Sequence, residues 1–367
     1  MRWSARSPRI GRVRRPSASA HSIGRASRPT PRTTPRALSR RNAPLTLQSS
    51  DARWLATAAR LALRGRPASR PNPAVGAILV KDGIVIGRGW TQPGGRPHAE
   101  AIALGRAGAE ARGATAYVTL EPCAHRSDRG PACADLLADA GVARVVIGCE
   151  DPDPRTAGSG LARLRGAGVS AELIELAAAR ESLAGYLTRA RSGRPHVTLK
   201  LALSLDGKIA LPSGESRWIT GEAARAHVHS RRALADGILV GGGTWRADRP
   251  RLDVRLRGLE GRSPLPVVLT SRAMEGVRTI AAPEDIAGLQ DMLYLYVEGG
   301  AQTAAAFLAA DLVDRLDIYR APILVGEGIS GIADIRLGDL AEAHGRWKLV
   351  ERRGLGTDSY EAFARVR

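Results

Sequence analysis

Aromatic residues are scarce in this sequence. Phe occurs twice, and Phe, Trp and Tyr together make up 4% of 367 residues. A basic groove interleaved with aromatics, the surface on which single-stranded nucleic acids stack, has little to be built from here. Cys is rarer still at three, which excludes a disulfide framework and points to a reducing compartment, the cytoplasm. No apolar run approaches the ~20 residues that cross a bilayer, so no membrane association is expected. Acidic residues are missing from the first fifty positions, which hold twelve Arg and carry +12. The remaining chain has 43 basic and 36 acidic residues, a balance of only +7. The overall +19 is therefore no nucleic-acid footprint. It leaves a modestly basic globular part suited to a phosphorylated small molecule.

What is present suffices for two domains of ordinary size. The chain is organised around His98-Ala99-Glu100, Glu121-Pro122-Cys123 and Cys133. One His and two Cys form a three-ligand set for Zn²⁺ with a fourth position left for water. Glu100, two residues from His98, is placed to move protons as general acid and base. This is the layout of the zinc-dependent nucleobase deaminases. Taken singly, His98 would be a surface His and each Cys a small buried hydrophobe; together, between strands and helices, they favour zinc. Both ligand segments are expected to open helices, whose N-termini favour thiolate. Cys149, at the end of an apolar strand, reads as a buried structural thiol. The usual Pro-Cys-x-x-Cys spacing is not kept, since nine residues separate Cys123 from Cys133.

That departure points to a particular family. Glu121-Pro122-Cys123-Ala124-His125, Gly130-Pro131-Ala132-Cys133-Ala134 and Pro71-Asn72-Pro73-Ala74-Val75-Gly76 resemble the riboflavin-biosynthesis bifunctional deaminase/reductases. Members usually place eight residues between the two Cys; here the polar loop Arg126–Arg129 takes up one more. The resemblance implies a cytidine-deaminase-like three-layer α/β/α domain followed by an α/β domain similar in fold to dihydrofolate reductase. It places Asn72 and His125 in the deaminase pocket as substrate contacts.

Taken in order, residues 1–50 are rich in Arg, Ser, Pro and Thr and are expected to be disordered. A targeting peptide, an Arg-rich nucleic-acid arm and an extension from an upstream start codon are the alternatives; the extension is favoured, because the family's opening helix matches only from about Asp51. Asp51 reads as the N-cap of a helix through Leu63. Residues 51–193 then alternate strand and helix, which predicts a sheet with mostly parallel pairing. Val75–Val80 and Ile84–Gly87 form a hairpin about Lys81-Asp82-Gly83. Glu175–Arg191 reads as one amphipathic helix, and Ser192-Gly193-Arg194-Pro195 as a linker.

Residues 194–367 form the second domain. His196–Leu203 reads as a strand and Glu222–Arg232 as a helix. Gly237–Val240 runs into Gly241-Gly242-Gly243-Thr244, and Leu293–Glu298 into Gly299-Gly300. Two strand–glycine–helix junctions favour a dinucleotide, although neither is Gly-x-Gly-x-x-Gly and no standard Rossmann domain is expected. The resemblance implies NADPH as cofactor, with Ala202, Trp218, Thr244, Asp248 and Ser271 lining its site. The segment Gly300, Ala301, Gln302, Thr303, Ala304, Ala305 and Ala306 completes that lining. It implies that Ser216, Arg232, Leu252, Arg255 and Glu298 contact a ribose-phosphate substrate, two Arg being able to clamp a phosphate. Arg272 is the candidate for the 2′-phosphate that separates NADPH from NADH. The stretch from Ser271 to Glu298 is shorter than usual for the family, with a strand and part of a helix expected to be missing. A homo-oligomer is implied by the resemblance.

The expectation is an enzyme that hydrolytically deaminates a phosphorylated pyrimidine and then reduces its ribosyl group. Two other readings compete. One is a deaminase acting on nucleic acid, which has no need of two glycine junctions. The other is a non-enzymatic zinc-stabilised binding module, which would release no ammonia.

Overall fold

The computed structural model describes residues 47–125 and 129–367. The expectations for residues 1–46, and for the part of the Arg126–Arg129 loop at 126–128, lie outside the described residues.

Helix α1 (Leu47–Ala62) opens the described chain. It begins four residues before Asp51, so Asp51 is no N-cap. Its carboxylate is 2% exposed, accepts a hydrogen bond from Tyr117 at 2.8 Å and pairs with Arg144. A buried Asp held by a guanidinium and a phenol ties α1 to the sheet, which is why a polar residue stands inside a helix. Strands β1 (Gly76–Lys81) and β2 (Ile84–Trp90) form the expected hairpin. Its loop residues Asp82 and Gly83 both have positive φ, as a two-residue type I′ turn requires. Next come α2 (Ala99–Ala107), β3 (Thr115–Val118), α3 (Cys133–Asp139), β4 (Arg144–Ile147), α4 (Ser159–Gly166) and β5 (Ser170–Leu173).

The sheet order is β2-β1-β3-β4-β5. The β1–β2 and β1–β3 pairs are antiparallel, and β3–β4 and β4–β5 are parallel. The sheet is thus evenly mixed rather than mostly parallel, because the hairpin inserts β1 against the direction of β3. Leu79, Ala103, Val118, Leu137 and Ile147 are fully buried between sheet and helices. Helix α2 lies unusually close to β2. A Cβ at Gly87 would stand 2.3 Å from the Ala103 carbonyl, and one at Gly89 2.1 Å from that of Ala99. Only glycine permits this approach, which fixes where α2 begins. The expected single helix at Glu175–Arg191 is two, α5 (Ala177–Ser182) and α6 (Ala184–Ser192), parted at the buried Leu183.

The second half is assembled from β6 (His196–Leu203), β7 (Lys208–Ala210), α7 (Glu222–Arg232), β8 (Gly237–Gly241), α8 (Gly242–Asp248), β9 (Leu265–Leu269), β10 (Arg278–Ile280), β11 (Tyr294–Val297), α9 (Ala301–Ala309), β12 (Arg315–Arg320), β13 (Ile329–Ser330), β14 (Trp347–Leu355) and β15 (Asp358–Arg365). The large sheet runs β10-β9-β8-β11-β6-β12-β15-β14, while β7 and β13 pair separately. Its pairings are parallel from β10 to β12 and antiparallel beyond. The short Ser271–Glu298 stretch keeps an edge strand, β10, and a 3₁₀ turn at Pro283–Gly288.

The two sheets meet through a polar seam. The Arg66 guanidinium stacks 3.2 Å from the Tyr294 ring centre and donates to the Leu234 carbonyl. Arg70 donates to the Asp236 carbonyl, and Arg262 to that of Arg66. From α6, Arg189 donates to the carbonyls of Leu289 and Met292. Among the described residues no helix is long and apolar enough to cross a membrane.

Candidate metal centre and nucleotide crevice

The turn ahead of α2 sets His98 as its N-cap residue, while Cys133 is the first residue of α3. Cys123 sits in the loop after β3 and opens no helix, contrary to expectation. The three ligand atoms nevertheless converge, all within 4.8 Å of one another. His98 Nδ1 lies 3.2 Å from Cys133 Sγ and 3.6 Å from Cys123 Sγ. Tetrahedral Zn–N and Zn–S bonds place N and S about 3.5 Å apart, so this donor set fits zinc. It also fits in type, two soft sulfurs and one imidazole. The backbone N–H of Cys133 donates to Cys123 Sγ at 3.3 Å.

Electrostatics divide the two thiols. The hydrogen bond from Cys133, opposed by burial and aided by His98, brings the Cys123 thiol down to about 4. The same bond, with burial, pushes Cys133 well above its ordinary value. Burial works against the His98 imidazolium, but its bond to Cys123 and the neighbouring negative charges raise its pKa overall. Glu100, 3% exposed, lies in the first turn of α2. Burial raises its pKa against the pull of His98, the condition of a carboxyl able both to take and to give a proton. Cys149 is fully buried and outside the cluster; burial lifts its pKa to about 11.

A cavity of about 280 Å³ opens beside the cluster, lined by Arg96, His98, Arg129, Cys133 and Leu136 among others. Arg96 and Arg129 were not singled out from the sequence. Their signal was position, two residues before His98 and four before Cys133. Asn72 Nδ2 and Arg129 Nη2 both donate to the Gly94 carbonyl, at 3.3 and 2.7 Å, on the loop that delivers His98. His125 Nδ1 is buried and has no hydrogen-bond partner among the described residues.

In the second sheet β8, β9, β11 and β6 run parallel, so their C-terminal ends share one edge of the sheet, the usual side for a ligand in such sheets. Gly300 caps α9 there. Thr244 Oγ1 and Thr303 Oγ1 face Gly300 and Gly241, and Ser271 and Arg272 follow β9 alongside. Ala202 lies on β6 nearby. Thr303, Ala304 and Ala305 on α9 are buried, while Gly300, Ala301 and Ala306 are half-buried and Gln302 is exposed. Trp218, 66% exposed, carries the Arg225 guanidinium 4.7 Å above its ring, and Asp248 faces Arg217 at 3.8 Å.

The two Arg expected to contact the ribose phosphate are each paired with a carboxylate. Arg232 grips Glu298 with two bonds of 2.6 and 2.9 Å and donates to the Asp253 carbonyl. Arg255 pairs with the Asp253 carboxylate at 3.1 Å. Lys200 Nζ lies 3.7 Å from Glu298. Burial alone would favour neutral Glu298, but Lys200 and Arg232 hold it ionised, below its ordinary pKa. Leu252 is buried beside them, and Ser216 is exposed.

Comparison with known proteins agrees with both halves. A family model described as the cytidine and deoxycytidylate deaminase zinc-binding region matches residues 48–149, and the RibD C-terminal domain matches residues 195–358. The riboflavin biosynthesis protein RibD of Escherichia coli is 39% identical over 359 residues, 84% of this chain and 97% of that one. The Mycobacterium tuberculosis protein of the same name is 40% identical over 307 residues, 78% of this chain and 89% of its own. The structure of Acinetobacter baumannii RibD superposes with a TM-score of 0.76 at 34% identity, covering 87% of this chain and all of that one. A Thermotoga maritima structure, a diaminohydroxyphosphoribosylaminopyrimidine deaminase/5-amino-6-(5-phosphoribosylamino)uracil reductase, has a TM-score of 0.75 at 29% identity, covering 87% and 99%. With its zinc-type cluster in a cytidine-deaminase-like sheet and its two strand–glycine–helix junctions in the second, this chain belongs to the RibD family of bifunctional riboflavin biosynthesis deaminase/reductases.

Proposed function

We propose that the first half deaminates a diaminopyrimidinone ribosylamino 5′-phosphate and that the second reduces the ribosyl group of the product with NADPH. The observation that carries the first step is the convergence of His98, Cys123 and Cys133 beside the buried Glu100. Zinc, when bound, lowers the pKa of water to about 7 and so supplies a nucleophile at neutral pH. The Glu100 carboxylate accepts a proton from the attacking water. It returns that proton to the ring nitrogen, then takes the proton of the added hydroxyl and passes it to the amine, so the C–N bond breaks, the hydroxyl oxygen becomes the carbonyl and ammonia leaves. Asn72 and His125 orient the pyrimidine. His125 Nδ1, buried and without a hydrogen-bond partner among the described residues, is aimed for a polar edge of a bound ligand. Arg96 and Arg129 at the cavity give its phosphate a cationic rim.

In the second half the glycine junctions at Gly241–Gly243 and Gly299–Gly300 let backbone N–H groups approach the cofactor's phosphates. Thr244, Ser271, Asp248, Ala202, Trp218 and the Gly300–Ala306 segment surround it. Arg272 meets the 2′-phosphate. Ser216, Arg232, Leu252, Arg255 and Glu298 bind the sugar phosphate; the Arg232–Glu298 pair is a preformed wall rather than a free clamp. The hydride is the cofactor's chemistry, and the protein orients the two reactants.

The chain acts in the cytoplasm, without nucleic acid or membrane, as a homo-oligomer. Support for association is a patch of exposed apolar side chains around β7 and β13, including Leu205, Leu211, Ile323, Leu324 and Ile329. Sedimentation of wild type and Leu324→Asp tests it: a monomer in wild type ends the idea. The function is tested by supplying the diaminopyrimidine phosphate to purified zinc-loaded protein. Ammonia release followed by NADPH oxidation is expected; ammonia without oxidation would remove the reductase assignment, and neither would remove both.

A further inference from the structure

Helix α4 carries none of the reactive residues, yet it touches both Cys segments from outside the cavity. Its N-cap is Gly158, at φ 70° and without a side chain to cap anything. The missing cap is supplied by Glu121, which is 3% exposed and lies two residues before Cys123. Its Oε2 accepts the Gly158 N–H at 3.0 Å and its Oε1 the Leu161 N–H at 3.1 Å. The Leu161 amide is the donor that an N-cap side chain would ordinarily satisfy. One residue before Leu161, Gly160 faces the Pro122 carbonyl, where a Cβ would stand 2.1 Å from the oxygen. A turn further along, Arg163 Nη1 donates to the Ala124 carbonyl at 3.2 Å, directly after Cys123. The same guanidinium pairs with Asp135, its Nη2 to Oδ2 at 3.0 Å, two residues after Cys133.

Glu121 and Arg163 therefore bracket Cys123 on both sides, and Arg163 reaches across to the helix that carries Cys133. We propose that α4 is a positioning clamp for the metal centre. Glu121 and Arg163 are positioning residues that hold the two sulfurs at ligand spacing whatever the intervening loop does. This assigns a use to the interval of nine residues between the sulfurs: a loop whose ends are pinned by a third element is free to vary in length. The inference rests on the zinc reading of His98, Cys123 and Cys133. Residues that orient metal ligands typically contribute about 10–100-fold to metal affinity.

The test uses the full-length protein and three variants, Arg163→Ala, Arg163→Lys and Cys123→Ser. Zinc affinity is read by competition with a chromophoric chelator. Ligand geometry is read from the thiolate-to-metal absorption of the Co²⁺-substituted protein. Arg163→Ala should bind zinc about 10–100-fold more weakly, with an altered Co²⁺ spectrum and an unchanged melting temperature of the metal-free protein. NADPH oxidation by the second half should also be unchanged. Arg163→Lys, which keeps the charge toward Asp135 but not the forked geometry, should recover part of the affinity. Wild-type affinity and spectrum in Arg163→Ala would overturn the clamp. So would a fall in metal-free melting temperature that accounts for the lost affinity, since Arg163 would then merely support the fold. Failure of the zinc reading looks different: wild-type protein without zinc, or Cys123→Ser with undiminished affinity.

Discussion

Glu100, Cys123 and Cys133 are 3%, 8% and 1% exposed, whereas Trp218 is 66% exposed and Ser216, Asp248 and Ser271 stand at the surface. The contrast follows from what each half must hold. A single ion is enclosed by atoms a few ångströms apart, so its ligands must be set by the core, and α2, α3 and α4 fix them. A dinucleotide is longer than any one side chain, and the place proposed for it is a row of strand ends and helix N-termini. The first half resembles a vice assembled in advance; the second is a shelf on which the ligand completes the surface.

If that contrast is right, the halves should fail separately and by different amounts. Glu100→Gln should lower deamination about 1,000-fold, within the range expected for a general acid–base group. Zinc content and NADPH oxidation should stay at wild-type level; loss of zinc would make Glu100 a ligand instead. Asp317→Asn strikes the second half at its core. Asp317 is fully buried between Arg231 at 3.0 Å and Arg315 at 2.8 Å and accepts the Tyr360 hydroxyl at 3.0 Å. Leaving two guanidiniums without their carboxylate should cost about 3 kcal/mol in urea unfolding, with zinc affinity retained. An undiminished midpoint would show that the network is dispensable.

The third expectation concerns acid. Burial brings the His196 imidazole down to about 4 from an ordinary 6.5, against the attraction of Asp314. Between those values the unfolded chain binds a proton that the folded chain refuses. Stability is therefore full above about pH 6.5 and declines as pH falls toward 4. Between pH 7 and 5 the loss should be roughly 1.5 kcal/mol. His196→Gln should flatten it, as urea titrations at the two pH values would show. The smallest effect belongs to the shelf's rim: Arg272→Ala should narrow the preference for NADPH over NADH about fivefold in kcat/KM. An unchanged ratio would remove Arg272 from the 2′-phosphate site.

The cluster was legible in the sequence because zinc chemistry restricts residue types so tightly that His98, Glu100, Cys123 and Cys133 carry the signal themselves. The strand His196–Leu203 and the helix Glu222–Arg232 have the bounds expected from the sequence. Asp51 was misread because an Asp ahead of an apolar run resembles a cap, while its partners Tyr117 and Arg144 are 66 and 93 residues away. The even mixture of strand directions was hidden for a similar reason: alternation of strand and helix does not show which neighbour a hairpin will choose. The single helix expected at Glu175–Arg191 broke at Leu183, a residue with excellent helix propensity, because the turn is set by packing. Nor could local pattern show that Arg232 would be spent on Glu298, or that Arg163 would reach Ala124 and Asp135.

The stacking of Arg66 on Tyr294 bears on how the gene can be divided. Splitting it near the Gly193 codon would deliver one fragment with a cation stripped of its aromatic shelter and another with a buried ring and the Asp236 carbonyl turned to water. Two catalysts made as one polypeptide also arrive in equal number. A premature stop in the second reading half would thus silence more than the step it encodes.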